Sequence, residues 1–196
     1  ISRGQVYGHA PYFRFGWANS IGTSPQTIST TVAAGATYVY PAAATVMKVS
    51  STSASDTSAG TGAQTVFVEG LDANYNVISE TVALNGQTAV NTVNSYTAVN
   101  GFVVTSVGSG GVTAGNVYAG TGTVTAGVPA VIIDEIPAGW NSRQSAIYTV
   151  PAGYTAYVSY ARITFASSSS SNNIYGRLLM LGPNGVAVPT AATVAT

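Results

Sequence analysis

Short runs of β-branched and aromatic residues alternate with turn-forming clusters from residue 26 to residue 136. Within QTVFVEG at 64–70, Val66 and Val68 point to one face of a strand and Phe67 to the other, so one face is buried. Such runs recur about every eight to twelve residues, a spacing typical of a sandwich or barrel. Turn signals separate them at LDANYN (71–76), LNG (84–86), GSGG (108–111) and GTG (120–122). The pattern predicts an all-β fold, with an antiparallel β-sandwich or jelly-roll-like body over 26–136.

A second β set is predicted over 144–184. Its longest run, YTAYVSYARITFA at 154–166, carries apolar groups on both alternating faces, which predicts a strand lying between two layers. PAGWNSR at 137–143 clusters turn residues between the two sets, so the chain forms either two β domains or one domain that the second set completes. The serine tract at 167–171 is predicted to be an exposed hairpin loop, and 185–196 a C-terminal tail.

The N-terminal segment concentrates aromatic rings among glycines and prolines and shows neither a helical nor a strand period. We predict an extended docking arm over 1–25, because large rings on an irregular segment must bury either on the chain's own sheet or on a neighbouring subunit. The ring residues that would make this contact are Tyr7, Tyr12, Phe13, Phe15 and Trp17. Ile1 stands where a gene product would carry Met, so we expect the chain to begin inside a longer product.

Charged residues are scarce. Only 6% of the 196 residues are charged, and six basic and six acidic residues give a formal net charge of zero. A soluble monomer usually carries net charge that resists association, so this balance favours burial against copies or partners. The basic residues are scattered and form no run that would neutralise a row of phosphates, which argues against nucleic-acid binding. No stretch has the apolar length of a membrane span or the layout of a signal peptide, so we expect no membrane partner.

The sequence offers few candidate catalytic residues. Cysteine is absent, the single imidazole is His9 in the arm, and there is no G-x-S-x-G motif, so we assign no catalytic residue. Glu69 and Glu80 could meet across a hairpin as a glycosidase pair would, but solvated carboxylates are far commoner. We therefore predict that the chain is not an enzyme and holds no cofactor.

The DANYN segment at 72–76 resembles the start of a calcium loop, with oxygen-bearing side chains at alternate positions. Val77 and Ala83 occupy the positions where such a loop needs Gly and Glu. The segment is therefore predicted to be a turn capped by its own Asp and Asn side chains, and no metal site is predicted in the chain.

Carbohydrate binding would need exposed rings as stacking platforms. Trp140, in a predicted turn, is the candidate for such a surface contact. The tyrosines of the second β set are instead predicted to fill a core or an interface, and they are Tyr148, Tyr154, Tyr157 and Tyr160.

Four segments resemble small virion-associated structural proteins of tailed bacteriophages, including cyanophages. They are ISRGQVYGH with the following FRFG, YPAAATVMKVSSTSASDTSAGTGAQTV at 40–66, LDANYNVISETVALNGQTAV at 71–90 and AIYTVPAGYTAYVSYARIT at 146–164. The hairpin GLDANYN-x-ISETV-x-LNG and the strand pair YTVPAGYTAY are the most specific of these. The resemblance implies a β-rich subunit of low charge, made in many copies, of the capsid decoration or minor structural type.

Together these features predict a non-enzymatic structural component of a tailed-phage virion: a capsid decoration, cement or head-fibre subunit that anchors through its N-terminal arm. The expected partners are the major capsid protein or other virion proteins, and further copies of the chain, with a homotrimer favoured. The protein would assemble in the host cytoplasm and reside in the virion. Two alternatives stay open: a tail-fibre or spike module that binds host carbohydrate, and an internal neck or tail component.

Overall fold

Strands separated by turns make up the ordered body of the chain, as a computed structural model shows. The structure describes residues 8, 11–18, 21, 24, 26–31, 38–164, 180–181 and 187–188. The strands are β1 (Thr45–Ser51), β2 (Ala63–Leu71), β3 (Val77–Ala83), β4 (Val90–Tyr96), β5 (Ala98–Val107), β6 (Val117–Thr125), β7 (Val128–Ile136), β8 (Met180–Leu181) and β9 (Ala187–Val188). These described residues include no helix, and so none that is long and apolar enough to cross a membrane.

Two antiparallel sheets form the body, one of four strands in the order β4-β1-β6-β7 and one of three in the order β3-β2-β5. A single hydrophobic core draws side chains from both sheets, with Met47 and Val49 from one and Val66, Val68 and Phe102 from the other. Each of these five side chains is at most 1% exposed. The predicted all-β fold and sandwich-like body are therefore confirmed.

Strand β2 shows how the sequence specifies this packing. Val66 and Val68 are fully buried, while Phe67 on the opposite face is only partly buried. A period of two places alternate side chains on opposite faces, so the apolar positions line the core and the others do not. The one-sided burial predicted for this strand is confirmed.

The β2–β3 turn is capped by its own side chains. The Asp72 Oδ1 atom accepts hydrogen bonds from the backbone N–H groups of Asn74 at 2.7 Å and Asn76 at 2.9 Å. The Asn76 side chain donates to Asp72 Oδ2 at 3.1 Å, and Tyr75 takes a positive φ of 61°. The predicted Asx-capped turn is confirmed, because the Asp72 carboxylate accepts these hydrogen bonds from within the turn.

The predicted GTG turn at 120–122 is wrong, since these residues lie within β6. The pairing of β6 with β7 shifts between Thr121 and Val124, which marks a bulge, and Gly122 there has a φ of 81°. Glycine is at home at a bulge because it tolerates positive φ. The reversal itself comes later, at Ala126 and Gly127, both of which have positive φ.

Contacts between Cα atoms divide the chain into two units, Ile1–Thr155 and Ala156–Thr196. The first unit therefore continues through 137–143, where the sequence predicted a boundary. This segment returns to the body: Asn141 O accepts a hydrogen bond from Val104 N at 2.8 Å, and Arg143 N donates to Phe102 O at 3.1 Å. These bonds cover the outer edge of β5, which explains why the chain does not separate into domains here.

The predicted second β set is not a set of strands over its described N-terminal part. Residues 144–164 lie in no strand, and 154–164 are exposed along their whole length. The strand predicted between two layers at 154–166 is thus wrong for these residues in a single chain. In the second unit, β8 and β9 pair antiparallel with each other. The serine tract at 167–171 lies outside the described residues, as does the tail at 185–196 apart from β9.

Candidate docking surface

An extended segment at 11–18 carries four exposed rings, Tyr12 among them at 52%, and the other three stand at every second residue. Phe13 is 85% exposed, Phe15 67% and Trp17 44%, whereas the intervening Arg14 and Gly16 are half-buried. The segment therefore alternates with a period of two, which the sequence interpretation did not predict. We call Phe13, Phe15 and Trp17 the aromatic strip.

Arg14 anchors this segment to the body. Its guanidinium carbon lies 4.2 Å from the centroid of the Tyr12 ring and 5.1 Å from that of Tyr148. The same guanidinium donates hydrogen bonds to the Tyr12 hydroxyl and to the backbone carbonyl of Asn100 in β5. Burial lowers the pKa of Arg14 and raises the pKa of Tyr12, the latter partly offset by the Arg14 charge. A cation that contacts two rings packed on each other, and that also bonds to β5, fixes the segment on the body.

Gly16 allows a close approach that a larger residue would prevent. A Cβ atom there would lie 2.5 Å from Ala146 N and 2.7 Å from Ile28 O. The neighbouring amide of Trp17 donates to the carbonyl of Gln144 at 3.4 Å, and Ala146 N donates to Ile28 O at 3.2 Å. Residues 16–17 and 26–31 therefore lie together against 144–146.

The surface beneath the segment is itself cross-linked by polar contacts. Arg143 donates to the carbonyl of Val99 at 2.9 Å and lies 2.9 Å from Asp134 Oδ2, with both side chains buried. Asn100 exchanges two hydrogen bonds with Thr149, at 2.7 Å and 2.9 Å. The ion pair and these hydrogen bonds link β5, β7 and residues 143–149 through buried groups, so this base is expected to be rigid.

Two adjacent carboxyl groups in β7 have raised pKa values. Burial raises the pKa of Asp134 to about 6, with Arg143 acting in the opposite direction. Burial, followed by the Asp134 charge, raises the pKa of Glu135 to about 7. Asp134 has Arg143 as its ion-pair partner, whereas no described residue donates a hydrogen bond to the Glu135 carboxyl. Glu135 is therefore the carboxyl group that most resists ionisation in the folded chain.

Glu69 and Glu80 do not meet. Glu80 stands opposite Val68 in the β2–β3 ladder and Glu69 opposite Ser79, so the two carboxylates lie on opposite faces of the sheet. Glu80 instead accepts hydrogen bonds from the backbone amides of Val93 at 2.8 Å and Asn94 at 2.9 Å. Its carboxylate thus joins the edge of one sheet to the edge of the other.

Two other candidate residues, His9 and Tyr7, lie outside the described residues. Within the described part of the chain, no three His, Cys, Asp or Glu side chains come together as a metal site would require.

Trp140 lies in a separate, well-fixed turn. Its ring is 50% exposed, its amide donates to Pro137 O at 3.1 Å, and its carbonyl accepts from Thr113 Oγ1 at 2.9 Å. Tyr148 packs on Tyr12, with ring centroids 4.4 Å apart. The core assignment of the remaining tyrosines is wrong in a single chain, because the exposed fractions are 72% for Tyr154, 80% for Tyr157 and 77% for Tyr160.

Arg14 and Asn100 are the residues that sequence reasoning missed at this surface, whereas Tyr148, predicted to fill a core or an interface, packs there on Tyr12. The only local signal was a lone cation among rings at 12–17, and its partners lie far away along the chain. No protein-family model, curated protein or solved structure matches the chain.

Proposed function

We propose that this chain is a non-enzymatic structural component of a tailed-phage virion, a capsid decoration, cement or head-fibre subunit that docks through its N-terminal arm. The observation that carries the proposal is the aromatic strip. It is a set of outward-facing rings on an extended segment whose other side is seated on the body. The sequence resemblance to virion-associated structural proteins supplies the class of particle.

The strip offers enough apolar area for a specific contact. A large aromatic side chain buries about 150–250 Å², so the exposed fractions of Phe13, Phe15 and Trp17 amount to roughly 400 Å² in total. At about 25 cal/mol per Å², covering this area contributes roughly 10 kcal/mol before the entropic costs of association. The strip has no charge, so binding should persist at high salt.

The partner would be the major capsid protein or another virion protein, and the chain would act in many copies, with a homotrimer favoured. A seated arm needs less ordering on binding than a free one, which leaves more of the apolar gain as affinity. The carboxylates support a structural role, because Glu80 and Asp134 are engaged in contacts that hold the body together.

The test combines localisation with a matched pair of variants. Immunoelectron microscopy of particles should place label over the head. Particles that lack the chain should bind the added wild-type protein but not Phe13→Ser/Phe15→Ser, while Trp140→Ala, which removes another exposed ring, should bind as wild type does. Full binding by the double variant would refute docking through the strip. Absence of label from every particle would refute the virion assignment.

Trp140 favours a second candidate function, a fibre or spike module that binds host carbohydrate. Its half-exposed ring on a fixed turn is the kind of platform on which a sugar ring stacks. Binding to a glycan array or to host cells that is lost in Trp140→Ala but kept in Phe13→Ser/Phe15→Ser would favour this function. Label confined to the tail would agree with it or with the internal neck or tail component.

A further inference from the structure

The start of the second unit leaves large apolar side chains open to solvent. Residues 156–164 lie in no strand, and all of them are exposed. The exposed fractions are 80% for Tyr157, 58% for Val158, 77% for Tyr160 and 44% for Ile163. Soluble monomers rarely expose so many large apolar groups in so short a stretch, so this segment calls for a partner.

The same residues carry the sequence pattern of a strand. Tyr157, Ala161 and Ile163 fall on one side of an extended chain, and Val158 and Tyr160 on the other. Aromatic and β-branched residues favour strands because they pack well on a pleated, half-buried surface. A strand with apolar groups on both faces needs a hydrogen-bonding neighbour and a layer on each side. The described residues of a single chain place no strand beside this segment, and its side chains are exposed.

The strands described in the second unit, β8 and β9, are two residues each and pair with each other. Neither of them pairs with 156–164, so within the described residues this segment has no strand partner.

A second copy of the chain is the partner that fits. A second copy is available wherever the protein is made, and it carries the same segment with apolar side chains on both faces. Arg162 is the only charged residue in 156–164, so copies of the segment meet with little repulsion between like charges. In a closed symmetric assembly, every copy would then bury the same rings.

We propose that residues 156–164 form the self-association strand of a homo-oligomer, pairing with the same segment of neighbouring copies. The aromatic strip belongs to the first unit and this segment to the second, so each copy would have one contact for its sisters and another for the particle. The inference stands whether or not the strip docks on a capsid.

The first experiment measures the mass of the full chain by sedimentation or light scattering. Wild type should have a multiple of the 19.8 kDa chain mass, with three copies favoured, and Tyr157→Ser/Tyr160→Ser should fall to a single copy at the same concentration. Phe13→Ser/Phe15→Ser removes two similarly exposed rings from the first unit and should keep the wild-type mass. A wild-type monomer at every attainable concentration, or an unchanged mass for the tyrosine variant, would overturn the proposal.

A second measurement does not depend on the tyrosine variant folding. Because the chain has no cysteine, Ser159→Cys introduces a single thiol into the exposed segment, and Thr123→Cys places one on an exposed site of β6. Mild oxidation should link copies of Ser159→Cys within the oligomer but not copies of Thr123→Cys. Equal linkage in both variants, or none in Ser159→Cys, would refute pairing through this segment. Failure of the wild-type protein to bind particles, with linkage of Ser159→Cys intact, would count against the docking proposal alone.

Discussion

Replacing Asp56 tests how the loops of the body are held together. Its side chain is fully buried. The Oδ1 atom accepts hydrogen bonds from the backbone amides of Ala63 at 2.7 Å and Ala114 at 2.9 Å. The Oδ2 atom accepts from the amide of Gly115 at 2.9 Å and from Ser51 Oγ at 2.5 Å. One carboxylate thus joins the end of β1, the start of β2 and the loop before β6.

The expected loss in the free energy of unfolding follows from the buried backbone amides that lose their hydrogen-bond acceptor. Asp56→Ala removes the acceptor of three backbone amides, and a buried unsatisfied donor costs about 1–3 kcal/mol. Allowing for water that enters the vacated space, we expect a loss of about 4 kcal/mol in the free energy of unfolding. Asp56→Asn keeps the shape and the Oδ1 contacts but turns an N–H donor towards Gly115 N. The free energy of unfolding of Asp56→Asn should therefore fall by less, about 2 kcal/mol.

The assay is urea unfolding of the full chain followed by far-ultraviolet circular dichroism, with the midpoint and slope fitted for each variant. Asp72→Ala is the control, since it removes an acid that also accepts backbone amides, but in an exposed turn. Its loss should be smaller than that of either Asp56 variant. If Asp56→Ala unfolds within about 1 kcal/mol of wild type, or if Asp72→Ala costs as much, the argument from buried hydrogen bonds is refuted.

Three further outcomes are expected. Folding raises the pKa of Glu135 from 4.5 to about 7. Between these two pH values the folded state keeps a proton on Glu135, whereas the unfolded state has released it. The free energy of unfolding should therefore fall by about 2 kcal/mol between pH 5 and pH 8, and urea titrations at both pH values should show Glu135→Gln without that part of the fall. Arg14→Ala should unseat the arm, so chymotrypsin should cleave 11–18 several-fold faster while the far-ultraviolet spectrum stays unchanged; an unaltered cleavage rate would contradict the anchoring role. Gly127→Val should lower the thermal midpoint strongly, because φ is +81° and a Cβ would lie 1.9 Å from Ser51 O; a midpoint equal to wild type would contradict this.

The body could be predicted from the sequence because the alternation of apolar and polar residues within a strand shows which face is buried. In β2 the apolar positions recur every second residue, and the DANYN turn carries its own capping side chains. The segment 154–166 has a pattern just as clear, yet its described residues lie exposed and unpaired. Periodicity says that a strand with two apolar faces needs layers, but it does not say which chain supplies them.

The candidate docking surface was only half predictable. The sequence identified the rings at 12–17 because rings on an irregular segment stand out. The role of Arg14 depends on Asn100, 86 positions away, and on Tyr148, and no local pattern encodes such a pairing. Likewise, the turn residues at 137–143 suggested a boundary, whereas the backbone bonds that return this segment to β5 are set by tertiary packing.

The Glu80 carboxylate also protects two sheet edges against aggregation. Exposed sheet edges are templates on which identical chains polymerise into fibres. In this fold two such edges, β3 and β4, lie side by side, and the Glu80 carboxylate occupies the amides of Val93 and Asn94 that an incoming strand would seek. Two backbone donors on this side of the body are thereby closed to a strand from another copy, so fibre growth by strand addition is disfavoured along β3 and β4.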